Sequence, residues 1–192
     1  MTETSRVLQA ATVLSQALAT ASIPHAFHGS LLIALLSNSP QCNEVLCIAE
    51  GGSVHPFGRV RQAIDGHASL TVTNSPWTNR LFVTYNEPIP PVTIEIIPAG
   101  EGGPRRLDDA TTTRIRALPF LTVSEFLRAK VNSWALRALD SDAQDIIWVL
   151  AHYWQSVDIN RIPDQDMERF ISEHPNAAPA WTAIKNRFDE DL

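Results

Sequence analysis

The order of its periodic segments constrains this chain most, because the strand-like segments all lie in its first half and a run of helical segments follows them. Apolar and polar residues alternate over 68–74, 79–86 and 92–99, as they do in half-buried strands. A shorter apolar segment, 44–50, is also predicted to be a strand. After residue 117 apolar residues recur every three or four positions, which predicts helices. A sheet-containing half is therefore expected to precede a helical half.

Helices are predicted within both halves, and together with the strands they give an α+β (mixed α/β) fold class with a small mixed sheet and flanking helices. Three predicted units follow: an α/β lobe over 1–100, a flexible polar connector over 101–117 and a helical lobe over 118–192, all within one compact unit. The predicted helices are 4–21, SLLIALLS (30–37), 56–65, a helix capped by Ser124, 141–157, 164–173 and 177–188.

Composition narrows the classes of protein to which the chain can belong. Of its 192 residues 44% are hydrophobic, and its net charge of -6 argues against a nucleic-acid partner. It has no apolar run that could span a bilayer and no basic, apolar start of a secretory signal, so a cytoplasmic protein without membrane insertion is expected. Cys42 and Cys47 are predicted to be free thiols, and the scattered histidines lack metal-ligand spacing.

A glycine step, a short helix and a buried strand follow one another in the first half. The step is FHGS (27–30), the strand is 44–50, and a later strand carries Glu95 among isoleucines. In the second half, LPFLTVSEFLRAK ends in Lys130, and SDAQDII begins the next helix. This order resembles the nucleotidyltransferase fold in its small, stand-alone form, and the resemblance covers about residues 23–155.

The resemblance implies a chemistry that this chain lacks residues to perform. In active members the Gly-Ser backbone holds a triphosphate, and the two carboxylates of an Arg-x-Thr-x-Asp-apolar-Asp strand bind Mg²⁺ with help from a third. Aligned to that pattern, Val45 and Cys47 take the two Asp positions, and Glu95 takes the third. Glu44 is one residue out of register, so its side chain is expected to point to the opposite face. A shift of one residue puts Leu46 at the second position instead.

The chain is thus expected to be a degenerate member, similar to those of fungal natural-product pathways, that needs no metal and no cofactor. An apolar cleft floor at Val45 and Cys47 favours a repurposed enzyme of secondary metabolism, a cyclase or pericyclase that folds an apolar intermediate for a Diels–Alder-type cycloaddition. The alternatives are a non-catalytic binding or scaffold protein and, third, a residual nucleotidyltransferase. An open cavity lined by Tyr85, Trp134 or Trp148 would favour the enzyme, and Val45 and Cys47 packed over would favour the scaffold.

The sequence identifies no catalytic residue, and it leaves the oligomeric state open. Several predicted contacts also have a structural alternative: Ser30 as a helix cap or as a backbone anion holder, Cys47 as packing, and Glu95 as an ion pair with Lys130 or an arginine. His28 is more simply a turn histidine that hydrogen-bonds the backbone. The residues expected to contact an apolar small-molecule substrate are His28, Ser30, Val45, Cys47, Tyr85, Glu95, Lys130 and Trp134.

Overall fold

The strand-rich half of the sequence forms a single mixed sheet in the computed structural model, which describes residues 1–75 and 77–192. The chain divides into two units, Met1–Leu121 with the sheet and Thr122–Leu192 with helices. This architecture confirms the predicted fold class. No helix in the described part of the chain is long and apolar enough to cross a lipid bilayer.

The described residues of the first unit form three helices and seven strands. The strand order is β3-β4-β5-β2-β1-β7-β6, with parallel pairing at β2–β5 and β1–β7 and antiparallel pairing elsewhere. The elements are α1 (Glu3–Thr20), β1 (His25–His28), α2 (Ser30–Ser37), β2 (Leu46–Ala49), α3 (Pro56–Ile64), β3 (Leu70–Ser75), β4 (Arg80–Tyr85), β5 (Val92–Pro98), β6 (Thr112–Ile115) and β7 (Leu118–Leu121).

The second unit is helical throughout its regular structure. Its first helix begins after Thr122, whose hydroxyl accepts a hydrogen bond from the Glu125 amide, so Thr122 and not Ser124 is the cap. The Ser124 hydroxyl instead donates to the Ser156 carbonyl and accepts from the Asp158 amide. The helices are α4 (Val123–Arg137), α5 (Asp140–Tyr153), α6 (Asp164–Glu173) and α7 (Ala178–Glu190), with short 3-10 turns between them.

One face of the sheet, called the helix face below, is covered by α1 and α3. His25 of β1 hydrogen-bonds Ser15 of α1, and Asn74 of β3 accepts from Arg61 of α3. In-register neighbours on this face form fully buried rows across the strands, such as Phe27, Cys47, Ile96 and Leu81. Since side chains alternate along a strand, the opposite face carries His28, Leu46, Glu95 and Phe82. We call this opposite surface the second face.

Residues 101–121 are part of the first unit. The prediction had assigned 101–117 to a separate connector and 118–121 to the helical lobe. Their second half forms the hairpin of β6 and β7. Their first half packs on the second face, where Leu107 contacts the buried group formed by Ala26, Ile48 and Leu121. Gly103 allows this approach, because a Cβ atom there would lie 2.4 Å from Cδ1 of Ile48.

His25 is expected to make the stability of the first unit depend on pH. Its Nδ1 lies 2.8 Å from the Ile23 carbonyl oxygen, which only accepts, so Nδ1 carries the proton and Nε2 accepts from the Ser15 hydroxyl 2.8 Å away. Burial lowers the pKa of His25 from its ordinary value of 6.5. The unfolded chain therefore binds the proton first, and the stability present above 6.5 is lost as pH falls toward the folded pKa.

Urea unfolding between about pH 7.5 and about pH 5.5 measures this loss. His25→Asn, whose amide does not titrate, is expected to unfold with a smaller pH dependence than the unsubstituted protein. His152→Asn, at an exposed histidine of α5, is the matched control and should keep the original dependence. Equal pH dependence in the unsubstituted protein and His25→Asn would show that His25 is not the group responsible.

Candidate functional site

The glycine step lies between β1 and α2 and faces the loop that leads into β2. Gly29 has a φ of 91°, and a Cβ atom added there would lie 3.4 Å from the carbonyl oxygen of Glu44 and 3.5 Å from Cγ of Leu46. Glu44 Oε2 would be 3.7 Å away. These are ordinary van der Waals distances, so the positive φ, and not a lack of space, favours glycine here, and the step lies in contact with both Glu44 and Leu46.

Ser30 fastens the same loop through its hydroxyl group. Its oxygen accepts from the amides of Asn43 at 3.1 Å and Glu44 at 2.8 Å, and it donates to the Glu44 carbonyl at 2.9 Å. The cap position of α2 belongs to Gly29, so Ser30 is not the helix cap that the sequence offered as one alternative. Its hydroxyl holds the backbone of Glu44 in place.

Glu95 forms a bidentate ion pair with Arg80 on the second face. Arg80 donates from Nε to Glu95 Oε1 at 2.7 Å and from Nη2 to Oε2 at 2.5 Å, and its guanidinium carbon lies 5.1 Å from the Phe82 ring centroid. The hydrogen bond to Glu95, then the charge of Glu95 and that of Glu44, raise the pKa of Arg80. Glu44, Arg80 and Glu95 thus form one charged group, called the Arg80 cluster below.

The predicted bridge between Glu95 and Lys130 is wrong, because each residue has another partner within its own unit. Lys130 Nζ lies 3.3 Å from Asp142 Oδ1 and 3.0 Å from Asp145 Oδ2. Ser133 donates to the other Asp142 oxygen at 2.7 Å. The Glu–Arg pair that the sequence offered as the alternative is the one the structure contains.

The predicted faces of the strand at 44–50 are also reversed. Leu46 is in register with Glu95, and Cys47 is in register with the buried Ile96 on the helix face. Val45 and Cys47 are 4% and 0% exposed, so they do not form a cleft floor. Glu44, expected to point away, lies beside Leu46 at the glycine step. Burial raises the pKa of the Cys47 thiol, which makes it a poor nucleophile.

Two of the three aromatic residues expected to line a cavity are packed in cores instead. Tyr85 pairs with Leu70 and Val92 on the helix face, and it is 3% exposed. Trp134 belongs to the core of the second unit, where its ring meets Phe170 edge-on with centroids 4.9 Å apart. Trp148, half-buried, stacks on His152 at 4.6 Å. Tyr85 and Trp134 are therefore packing residues.

Of the eight predicted contacts, the structure brings His28 and Glu95 to the second face, with Ser30 at its edge. His28 is buried and in register with Leu46. Neither Arg80 nor Leu46 was among the eight predicted contacts, although Leu46 took the second Asp position in the shifted alignment. Arg80 could have been found, since it lies in the predicted strand that precedes the strand of Glu95, and strands adjacent in sequence often pair and bring opposite charges together.

A magnesium site of the kind implied by the resemblance does not fit these residues. Glu44 and Glu95 share the second face, but Leu46 supplies an alkyl group beside Glu95, and Arg80 holds both oxygens of that carboxylate. Among residues 1–75 and 77–192, no three His, Cys, Asp or Glu side chains are grouped to hold a metal ion. Mg²⁺ requires several oxygen ligands in near-octahedral order, which this face does not present.

No protein-family model and no curated protein matches the chain. Solved structures do match it. An antigenic nucleotidyltransferase-like protein from Paracoccidioides brasiliensis aligns over 95% of this chain and 94% of its own, at 18% identity and a TM-score of 0.69. JHP933 from Helicobacter pylori aligns over 96% and 91%, at 13% identity and a TM-score of 0.57.

A putative nucleotidyltransferase from H. pylori aligns over 92% of this chain and 79% of its own, at 14% identity and a TM-score of 0.56. The structural similarity establishes the fold, but at identities this low it leaves the activity open. The alignments with the other two solved structures run over nearly the whole of both chains, so both units of the present chain take part in the likeness. The chain has a nucleotidyltransferase-like fold.

Proposed function

We propose that this protein is a non-catalytic binding protein built on the nucleotidyltransferase-like fold. One observation carries the proposal: the Arg80 guanidinium holds both oxygens of Glu95, the residue that resembles the third carboxylate of active members. The positive charge on the second face is thus supplied by the chain itself. A divalent cation would have to displace Arg80 from Glu95 before it could bind there.

The charges of the Arg80 cluster support this proposal. Two carboxylates, Glu44 and Glu95, act on one guanidinium and hold its pKa above the ordinary value. A bidentate guanidinium–carboxylate pair is stronger and more directional than a single hydrogen bond. Leu46, in register with Glu95, has no side-chain oxygen that could bind a metal ion. The pair of Arg80 and Glu95 is neutral without a metal ion, and Glu44 leaves the cluster with one net negative charge.

The cyclase hypothesis was based on Val45 and Cys47 as an open cleft floor, and both residues are buried. Val45 and Cys47 are packed on the helix face, and an apolar substrate could reach them only if the covering helices moved. Packing of Val45 and Cys47 under other residues is the arrangement expected of a scaffold protein. We therefore favour the binding role over the metal-independent cyclase.

Calorimetric titration with ATP tests the proposal. We expect the affinity for ATP to be the same, within about threefold, in excess Mg²⁺ and in excess EDTA, because the part of the chain that the structure describes groups no metal ligands that could couple the two. Turnover of a labelled nucleoside triphosphate should stay at the background rate. Tightening of ATP binding by about tenfold or more with Mg²⁺, accompanied by transfer of the label, would overturn the proposal.

A further inference from the structure

A cleft lies where two parallel strands of the sheet end side by side, at the opposite end of β2 from the Arg80 cluster. β2 and β5 pair in parallel, with Ala49 in register with Pro98, so the chain leaves the sheet twice at this edge. The cleft has a volume of about 780 Å³ and is lined by residues of the two segments that follow, 50–56 and 98–106. It therefore belongs to the first unit alone.

The two connections leave this edge in opposite directions. After β2 the chain passes through α3 on the helix face to β3, at one side of the sheet. After β5 it crosses the second face to β6, at the other side. Adjacent parallel strands whose connections diverge in this way leave a crevice between the two loops, and open α/β sheets bind ligands at such topological switch points. The cleft is that crevice.

Both walls of the cleft are held in place by the chain itself. Arg59 donates to the carbonyl oxygens of Glu50 and Gly51, both at 3.3 Å. A Cβ atom at Gly51 would clash with the Val54 carbonyl oxygen, so only glycine fits the tight turn there. Glu50 Oε1 accepts from the Leu107 amide at 2.5 Å, which joins the first wall to the second. The cleft is therefore preformed, as most small-molecule sites are.

Two arginines of the second wall, Arg105 and Arg106, form no ion pair with any residue that the structure describes, and both are exposed in the cleft. Most other arginines of this acidic protein contact a carboxylate or carbonyl oxygen, as Arg80 and Arg161 do. Neighbouring guanidinium groups without a carboxylate are suited to a phosphate group, whose oxygens accept paired hydrogen bonds from arginine.

The rest of the lining offers hydrogen-bond donors and acceptors. His55 Nδ1 accepts from the Phe57 amide at 3.2 Å, so in the neutral ring the proton is on Nε2, which is a donor. The exposed carboxylate of Glu101 accepts, and the Ser53 hydroxyl can do both. Hydroxyl groups of a ligand fit such a surface, since they also donate and accept. The aliphatic side chains of the lining are small: Val54, Pro56, Pro98 and Ala99.

We propose that this cleft binds the phosphate ester of a small polyhydroxylated molecule, such as a sugar phosphate. Arg105 and Arg106 bind the phosphate group, while Ser53, His55 and Glu101 contact the hydroxyl groups. A phosphate ester carries a charge of about -2 near neutral pH, which the two guanidinium groups balance. The inference concerns a different end of β2 and does not depend on the function proposed above.

Calorimetric titration of the full chain with glucose 6-phosphate tests the class of ligand. We expect a dissociation constant below about 1 mM, with glucose and inorganic phosphate each binding about tenfold more weakly or worse. Equal affinity for inorganic phosphate and glucose 6-phosphate would contradict the contacts to hydroxyl groups. If glucose 6-phosphate, ribose 5-phosphate and glycerol 3-phosphate all fail to bind at about 10 mM, the proposal is overturned.

Arg105→Gln combined with Arg106→Gln removes both guanidinium groups and should weaken glucose 6-phosphate binding by about tenfold or more. Arg114→Gln combined with Arg116→Gln is the matched control, because it makes the same change in net charge at exposed residues of the β6–β7 hairpin. The control should change the affinity by less than about threefold. Equal affinities of the two double variants would show that the phosphate does not bind at Arg105 and Arg106.

Amide chemical shifts locate the ligand. Addition of glucose 6-phosphate should shift the amides of residues 50–55 and 99–106, on the two walls of the cleft. The amides of Glu44, Leu46 and Glu95, at the other end of β2, should keep their positions. Shifts at these three residues without shifts in the cleft would place the ligand on the second face and contradict the proposal.

Discussion

Lys130→Met is expected to lower the free energy of unfolding of the second unit by about 3–5 kcal/mol. Lys130 is buried, and its ammonium group is the cation nearest to the carboxylates of Asp142 and Asp145. Its removal leaves Asp142, also buried, with Ser133 and a distant guanidinium at 3.9 Å. An uncompensated buried charge is far more costly than the loss of a solvent-exposed pair. Chemical unfolding monitored by circular dichroism measures the change.

Lys185→Met is the matched control, since Lys185 also pairs with an acid, Glu168, but both side chains are more than 40% exposed. It should cost less than about 1 kcal/mol. Combining Lys130→Met with Asp142→Asn and Asp145→Asn should recover part of the lost stability, because no buried charge is then left alone. If Lys130→Met costs no more than Lys185→Met, the buried pair does not hold the second unit together.

The combined substitution Leu46→Asp and Arg80→Ala is expected to create a divalent metal site on the second face. It removes the resident cation and places a third carboxylate in register with Glu95, beside Glu44. Clustered carboxylates are the ligands that Mg²⁺ and Mn²⁺ prefer. Calorimetry should show Mn²⁺ affinity at least about tenfold above that of the unsubstituted protein and of each single substitution.

Thr93→Asp combined with Arg80→Ala is the control for this gain. Thr93 lies on the same face and the same strand as Glu95, but it is in register with Thr84 rather than with β2. The added charge is equal, so any nonspecific attraction of metal ions is equal too. If the control variant binds Mn²⁺ as tightly as the Leu46→Asp variant, the position of Leu46 does not decide metal binding.

Most elements could be predicted from the sequence, but the side of β2 that faces the site could not. β2 is central, and its residues Leu46–Ala49 are apolar on both sides: Cys47 packs on the helix face and Ile48 beneath the segment around Gly103. A strand that is apolar on both faces has no alternation from which its orientation can be read. The pairing with β1 and β5 fixes the faces, and pairing is a property of the whole sheet.

The hairpin of β6 and β7 was missed for a different reason. Its register places Ile115 opposite Leu118, so two residues, Arg116 and Ala117, make the turn. Both have positive φ values, 50° and 65°. Such two-residue turns are usually marked by Asn-Gly or Asp-Gly, because few other residues adopt that conformation without strain. Arg-Ala carries no such signal, and the polar composition of the segment before it led to the prediction of a flexible connector.

The missing side chain at Gly103 also determines how closely its segment packs on the second face. The segment around it packs on the buried group of Ala26, Ile48 and Leu121, whereas Leu46 and Glu95 lie elsewhere on the same face. A side chain at residue 103 would force the Cδ1 atom of Ile48 to move, and because Ile48 is fully buried its neighbours in this part of the core would have to repack.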